Sequence, residues 1–386
     1  MLVGHTSRKR PLMKLTIQLH ATDGAARTGT VTTPRGQLPT PLFMPVGTRA
    51  AVKTLASPDL ENLGVPLILA NTYHLMLRPG AEVIAGLGGL HRFMDWHGHV
   101  LTDSGGYQIF SLEPTVTDEG ATFRSGYDGT SHQLTPEGAA EVQSQLGGDI
   151  QMVLDVCPPL PSSDAVIKAA VDRTEVWAAR GRAAFLGGRG CREDRGLDQA
   201  QFGIVQGGVD LARRAESAER TMAHGFDGYA VGGLSVGEAR QEMLPALAAA
   251  LDHLPVDQPR YLMGVGDPAG IVEAVALGVD LFDCVLPTRF ARHGTVLTGQ
   301  GRLMIKNLPY ERDERPLDPE CACPVCARWS RAYLRHLHRL GEPTAARLLT
   351  IHNVAWLSDL VAGLRAAITE GRFAAERRRI LEVWCP

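Results

Sequence analysis

From about residue 40 to residue 288, short apolar runs alternate with longer amphipathic stretches. Apolar runs occupy 42–46, 66–71, 99–103, 150–155, 202–206, 228–232, 260–265 and 280–285. Runs of this length, bounded by Gly, Pro or Asp, read as buried strands. Between several of them, apolar positions recur at helical spacing over 136–146, 164–186, 209–223, 236–251 and 268–277. Strands alternating with helices predict parallel βαβ units. Eight strands predict an α/β chain closed into a (β/α)8 TIM barrel, with a doubly wound open sheet as the competing arrangement.

The ends of these runs favour the barrel. Asn71, Asp103, Asp155, Gln206, Gly232, Gly233 and Asp283 all stand at or just past the C-terminal end of a predicted strand. That is the barrel face that carries active sites. One such Asp is equally explained as a helix N-cap, but capping accounts less well for all these positions together.

After residue 288 the texture changes. Residues 289–313 read as a hairpin turning at 299–301, followed by a cysteine-rich loop and helices rich in Arg, Leu and Ala over 325–381. The expected organisation is a lead-in over 1–40, a barrel over 41–288, and a zinc-binding subdomain with C-terminal helices over 289–386.

The 386 residues are 44% hydrophobic with a net charge of -3, so any nucleic-acid surface must be a local basic patch. No run of 18 apolar residues suggests a membrane span. The basic cluster Arg8, Lys9 and Arg10 is not followed by the apolar region of a secretory leader, so a cytoplasmic protein is expected. Met13 competes with Met1 as the start.

Three of the seven cysteines, Cys321, Cys323 and Cys326, crowd into one loop. Such clusters in cytosolic chains favour metal over disulfides. His352 is the candidate fourth ligand, giving a closed Cys3His site for one structural zinc ion per chain. Zinc alone would suit a nucleic-acid-binding module as well as an enzyme.

The stretches FMPVGT, NTYHLMLRPG, LTDSGGYQIFSL, FGIVQGG, AVGGLSVGE, YLMGVG, GVDLFDCVLPTR, PLDPECACPVC and LLTIHN resemble, in order and over almost the whole chain, those of bacterial tRNA-guanine transglycosylases of the queuine tRNA-ribosyltransferase family. The resemblance implies a barrel with a C-terminal zinc subdomain and a homodimer. It implies exchange of guanine at the anticodon wobble position of tRNAs with a uridine-guanine-uridine core, in queuosine biosynthesis. Two positions depart from the pattern of many bacterial relatives: Val156 replaces a Glu, and Phe290 replaces an Asn.

Base exchange at C1′ with retention fits a carboxylate nucleophile and a covalent intermediate. Asp283, at an apolar strand end, is the candidate nucleophile, and Asp103 the general acid/base. Asp155 would accept from guanine N1–H and N2–H2. Gln206 and the Gly233 N–H would donate to O6, with Ser104 and Gly232 in the same pocket. Tyr107 and Met263 would sandwich the ring, and Leu234 and Glu238 would meet an aminomethyl group on the incoming base. Cys157 and Val236 would close the pocket against the bulkier queuine, leaving 7-aminomethyl-7-deazaguanine as the expected base.

Arg289, Arg292 and Lys306 are candidates for tRNA phosphates. Arg328, Arg331, Arg335 and Arg339 form a further stripe, which a solvated helix face would also explain. The alternatives are a non-catalytic zinc-containing RNA-binding subunit of the same fold, an archaeal-type enzyme acting on the tRNA core, or a zinc-knuckle protein without chemistry. The presence of both Asp103 and Asp283 argues against the non-catalytic readings.

Overall fold

The computed structural model describes residues 15–385, so both candidate starts and the N-terminal basic cluster lie outside the described residues. The described chain opens with an antiparallel sheet of β1 (Ile17–Asp23), β2 (Ala26–Thr33) and β3 (Gly36–Thr40). Three barrel strands follow: β4 (Leu42–Gly47), β5 (Leu67–Ala70) and β6 (His99–Thr102). A second antiparallel sheet then interrupts the barrel, made of β7 (Thr115–Val116), β8 (Ala121–Arg124) and β9 (Ser131–Leu134). The barrel resumes with β10 (Ile150–Met152), β11 (Ala200–Val205), β12 (Gly228–Val231), β13 (Arg260–Leu262) and β14 (Leu281–Cys284).

These barrel strands pair in parallel in chain order, and β14 closes onto β4 with Leu281 opposite Leu42 and Asp283 opposite Met44. The ring is closed, so the open-sheet alternative falls. β5, β10, β11 and β12 are buried at every position, as expected of parallel strands covered on both faces.

Side-chain caps set several helix starts. Thr135, Ser163, Asp210 and Asp267 each accept a backbone N–H from the first turn of the helices Pro136–Leu146, Asp164–Gly187, Leu211–Met222 and Pro268–Ala276. The helix expected from 236 begins later, as Arg240–Leu251. Residues 235–239 form a loop instead: Ser235 has φ +62°, and the Glu238 carboxylate accepts the N–H groups of Ser235 and Val236.

The N-terminal sheet closes the bottom of the barrel. Arg27 on β2 forms a buried ion pair with Asp280, at the foot of β14, and donates to the carbonyls of Val256 and Gln258. Asp280 also accepts from Arg260 N at 2.7 Å. Removing one partner of such a pair typically costs about 3–5 kcal/mol.

Beyond the barrel come the hairpin β15 (Thr295–Thr298) and β16 (Gly301–Met304), the cysteine loop, and helices Arg331–Leu340, Pro343–Thr369 and Phe373–Trp384. The long middle helix docks its apolar stripe on the barrel: Leu357, Val361, Leu364 and Ile368 share one core with Phe43 and Leu281. Among the described residues, no helix is long and apolar enough to cross a membrane.

Candidate active site

The C-terminal strand ends enclose a pocket of about 370 Å³. Asp103, Ser104, Tyr107, Asp155, Gly232, Gly233, Leu234, Met263 and Asp283 all line it, drawn together from five of the barrel strands. Gln206 stands behind the wall, reaching it through Asp155. Cys157 and Val236 also line the pocket. Glu238 does not belong to this lining, because its carboxylate is held by its own loop.

The two central carboxylates have different surroundings. Asp103 is buried, and both its oxygens are engaged. Oδ1 accepts from Thr72 N at 2.7 Å and Gly105 N at 3.2 Å, and Oδ2 accepts from Asn71 Nδ2. Burial outweighs these bonds, and with the Asp283 charge nearby it pushes the Asp103 carboxyl up to about 6. Asp283 is open to the pocket on one side. Its Oδ1 accepts from Tyr261 Oη at 2.6 Å and Gly264 N at 2.7 Å. Its Oδ2 has no hydrogen-bond partner among the described residues. Desolvation raises its pKa above the usual carboxylate range.

Asp155 and Gln206 form the polar floor. Asp155 accepts from Gln206 Nε2 at 2.7 Å and from Ser104 Oγ at 3.1 Å. Each carboxylate oxygen keeps a lone pair for a ligand donor. Gln206 Oε1 is buried without a partner among the described residues, so the floor also holds an acceptor in need of a donor. Glycine suits position 233: φ is +64°, and a Cβ would stand 2.2 Å from Gln206 Oε1, so a side chain there would displace the buried Gln206 amide.

Three side chains that the sequence reading did not assign support this site. Arg214 is wholly buried and donates to the carbonyls of Val205, Gly208, Gly232 and Gly233. It fastens the ends of β11 and β12 side by side. Nothing in the polar helix sequence around it marks it as buried. Tyr261 lies two positions before Met263, so alternation puts both on one face, and that signal was available. His74 lines the pocket and shares a 2.8 Å hydrogen bond with Tyr127.

Arg289, Arg292 and Lys306 do not line the pocket. Arg289 and Arg292 sit on the helix Leu286–Arg292, directly after the Asp283 strand, with Arg289 exposed. Lys306 is exposed just past β16. The second arginine stripe is not a free cationic face. Arg331 is buried, paired with Asp313 and bonded to Leu317 O, while Arg335 donates to Asn307 O. Arg328 lies over the Trp329 ring, before the helix begins.

The ligand atoms of Cys321, Cys323, Cys326 and His352 lie within 4.8 Å of one another, a group that could hold a metal ion. His352 Nδ1 is 3.5 Å from Cys323 Sγ and 3.2 Å from Cys326 Sγ. Its Nε2 lies 2.8 Å from Leu297 O and donates to it, which fixes the tautomer and leaves Nδ1 as the ligand. Three thiols and one imidazole on such a cluster fit tetrahedral zinc. The adjacent Asn353 accepts from Leu297 N and donates to Thr295 O and Pro287 O, linking this centre to the segment after Asp283.

A sequence model described as "Queuine tRNA-ribosyltransferase" matches residues 22–385. A protein of that name from Solidesulfovibrio magneticus is 51% identical over 364 residues, covering 94% of this chain and 96% of its own. One from Novosphingobium aromaticivorans is 50% identical over 366 residues, covering 94% and 97%. One from Desulforamulus reducens is 46% identical over 374 residues, covering 96% and 99%. The chain therefore belongs to the queuine tRNA-ribosyltransferase family, the tRNA-guanine transglycosylases.

Proposed function

We propose that this chain exchanges guanine at the anticodon wobble position of tRNAs with a uridine-guanine-uridine core for 7-aminomethyl-7-deazaguanine, in queuosine biosynthesis, by double displacement through an aspartyl-ribose intermediate. The observation that carries the mechanism is the unequal bonding of the two carboxylates. Asp283 has one oxygen held by Tyr261 and Gly264 and the other free toward the pocket, which suits a nucleophile. Asp103 has both oxygens tied and a pKa of about 6, which suits proton transfer near neutrality.

In the first step Asp283 Oδ2 bonds to ribose C1′ as the C1′–N9 bond breaks. Protonated Asp103 gives its proton to the leaving guanine. In the second step the incoming base loses its N9 proton to Asp103 and attacks C1′. The aspartyl ester breaks, and the Asp283 carboxylate is restored. Two inversions retain configuration.

Asp155 accepts from guanine N1–H and N2–H2, Gln206 and Gly233 N–H contribute donors, and Ser104 and Gly232 shape the floor. Tyr107 and Met263 take the two ring faces, and the Leu234 carbonyl meets the aminomethyl cation. Arg289, Arg292 and Lys306 receive phosphates of the anticodon loop. Zinc, held by Cys321, Cys323, Cys326 and His352, is structural. The enzyme works as a homodimer in the cytoplasm. Incubation with radiolabelled guanine and unmodified tRNA tests the reading: label should enter the tRNA at the wobble position. No incorporation, or incorporation elsewhere in the tRNA, would overturn it.

A further inference from the structure

The strand ends of β14, β4, β5 and β6 are consecutive around the barrel. The segment after β14 carries Arg289, and the segments after β4 and β5 carry Arg49 and Arg78. Both of these latter arginines are exposed, and neither has a hydrogen bond or ion pair to another side chain among the described residues. They converge on one ring. Arg49 lies 5.2 Å and Arg78 4.6 Å from the centroid of Tyr127, on the connection between β8 and β9 that follows β6. Tyr127 is in turn anchored by His74, which lines the base pocket.

Two guanidiniums on one aromatic ring repel each other, and the ring's negative face offsets only part of that. The exposed Asp128 carboxylate next to Tyr127 offsets part of the Arg78 charge, while Arg49 has no ion pair among the described residues. The arrangement calls for an anion. On the far side of the mouth, by contrast, Arg213 after β11 is paired with Asp164 at 2.7 Å. Arg289, Arg49 and Arg78, none of them in a close ion pair among the described residues, thus form an arc over one sector of the rim.

We propose that Arg49 and Arg78, held on Tyr127, bind backbone phosphates of the RNA strand flanking the extruded nucleotide, continuing the track begun by Arg289. The proposal rests on the reading of the pocket as a tRNA base-exchange site. A guanidinium presents a planar fork suited to phosphate, and the ring orders both forks while leaving their N–H edges free. His74 links the foot of this track to the pocket wall.

The test measures guanine exchange into tRNA by the full-length protein at several salt concentrations. The variants are Arg49→Ala, Arg78→Ala, the double variant, Tyr127→Leu, and Arg378→Ala as a control exposed on the last helix. The double variant should raise KM for tRNA about tenfold or more, with kcat and KM for guanine within about twofold of wild type. The slope of log KM(tRNA) against log salt should fall by about 1.4, as expected for two lost single-strand phosphate contacts at about 0.7 each. Tyr127→Leu keeps both charges and should raise KM for tRNA less than the double variant does. Arg378→Ala should change nothing. A double variant with wild-type KM for tRNA and wild-type salt slope would overturn the proposal, as would an equal effect from Arg378→Ala. Wild-type protein that exchanges no guanine would instead overturn the reading of the pocket.

Discussion

Asp103 should destabilise the fold at neutral pH, and its removal should show how much. Its carboxyl is pushed from 3.8 to about 6, with burial as the largest cause. A folded-state pKa above the unfolded one means that the native state holds the proton more tightly. The contribution of this group to stability is therefore fully present below about pH 4 and is lost as pH rises through about 6. A shift of two units or so corresponds to about 3 kcal/mol at pH 8. Asp103→Asn removes the buried charge. Its Oδ1 can still accept from Thr72 N and Gly105 N, and Asn71 can turn its amide to accept from the new NH2. Without exchange activity, this variant should be more stable than wild type at pH 8 by up to about 3 kcal/mol, and the gap should close between pH 6 and 4. Urea unfolding of both proteins across that range would measure it. A variant less stable than wild type at pH 8, or a difference that does not change with pH, would refute the assignment of a strained, buried carboxylate.

Other outcomes follow from single contacts. Arg214→Met removes the guanidinium donor from four carbonyls, of which Val205 O keeps the Gly232 N–H. The loss should cost on the order of 3–5 kcal/mol and raise KM for guanine more than KM for tRNA; an unchanged guanine KM would show that this arginine does not position the pocket. Elemental analysis should find about one zinc per chain, and Cys323→Ser should lose it along with several degrees of thermal stability; full metal content in that variant would disprove the ligand set. Val236→Gly should raise the use of queuine relative to the aminomethyl base by about tenfold or more, since overpacking costs roughly 1–3 kcal/mol; competition between the two free bases reads this directly, and an unchanged ratio would remove the steric argument.

The barrel was legible because its strands are buried on both faces and read as unbroken apolar runs such as Ile68–Leu69 and Ile204–Val205. The lining of the pocket was legible because barrel geometry gathers strand ends that are distant in sequence. What stayed hidden depended on contacts between distant segments. The β7–β9 sheet comes from a polar, partly exposed stretch whose strands are two to four residues long, too short for alternation to register. Arg331 read as part of an exposed stripe and Arg214 went unassigned, since helical spacing does not say which face meets Asp313 or the carbonyls of β11 and β12. Glu238 is near the pocket in sequence, but its own loop N–H groups take the carboxylate first. The proposed division of labour between Asp283 as nucleophile and Asp103 as acid/base was available at the sequence level, through the family resemblance, although both are strand-end aspartates. The structure adds a physical basis for the proposal, namely which oxygens Asn71, Thr72, Tyr261 and Gly264 occupy.

The proposed division is tested most directly by trapping the enzyme during turnover. Protein and tRNA mixed at high concentration, quenched in denaturant and digested with protease and nuclease, should yield one peptide bearing a ribose remnant. Mass spectrometry of its fragments should place the remnant on Asp283, the carboxylate with the free oxygen. A remnant on Asp103, or exchange proceeding with no adduct at any ratio of tRNA to base, would contradict the account.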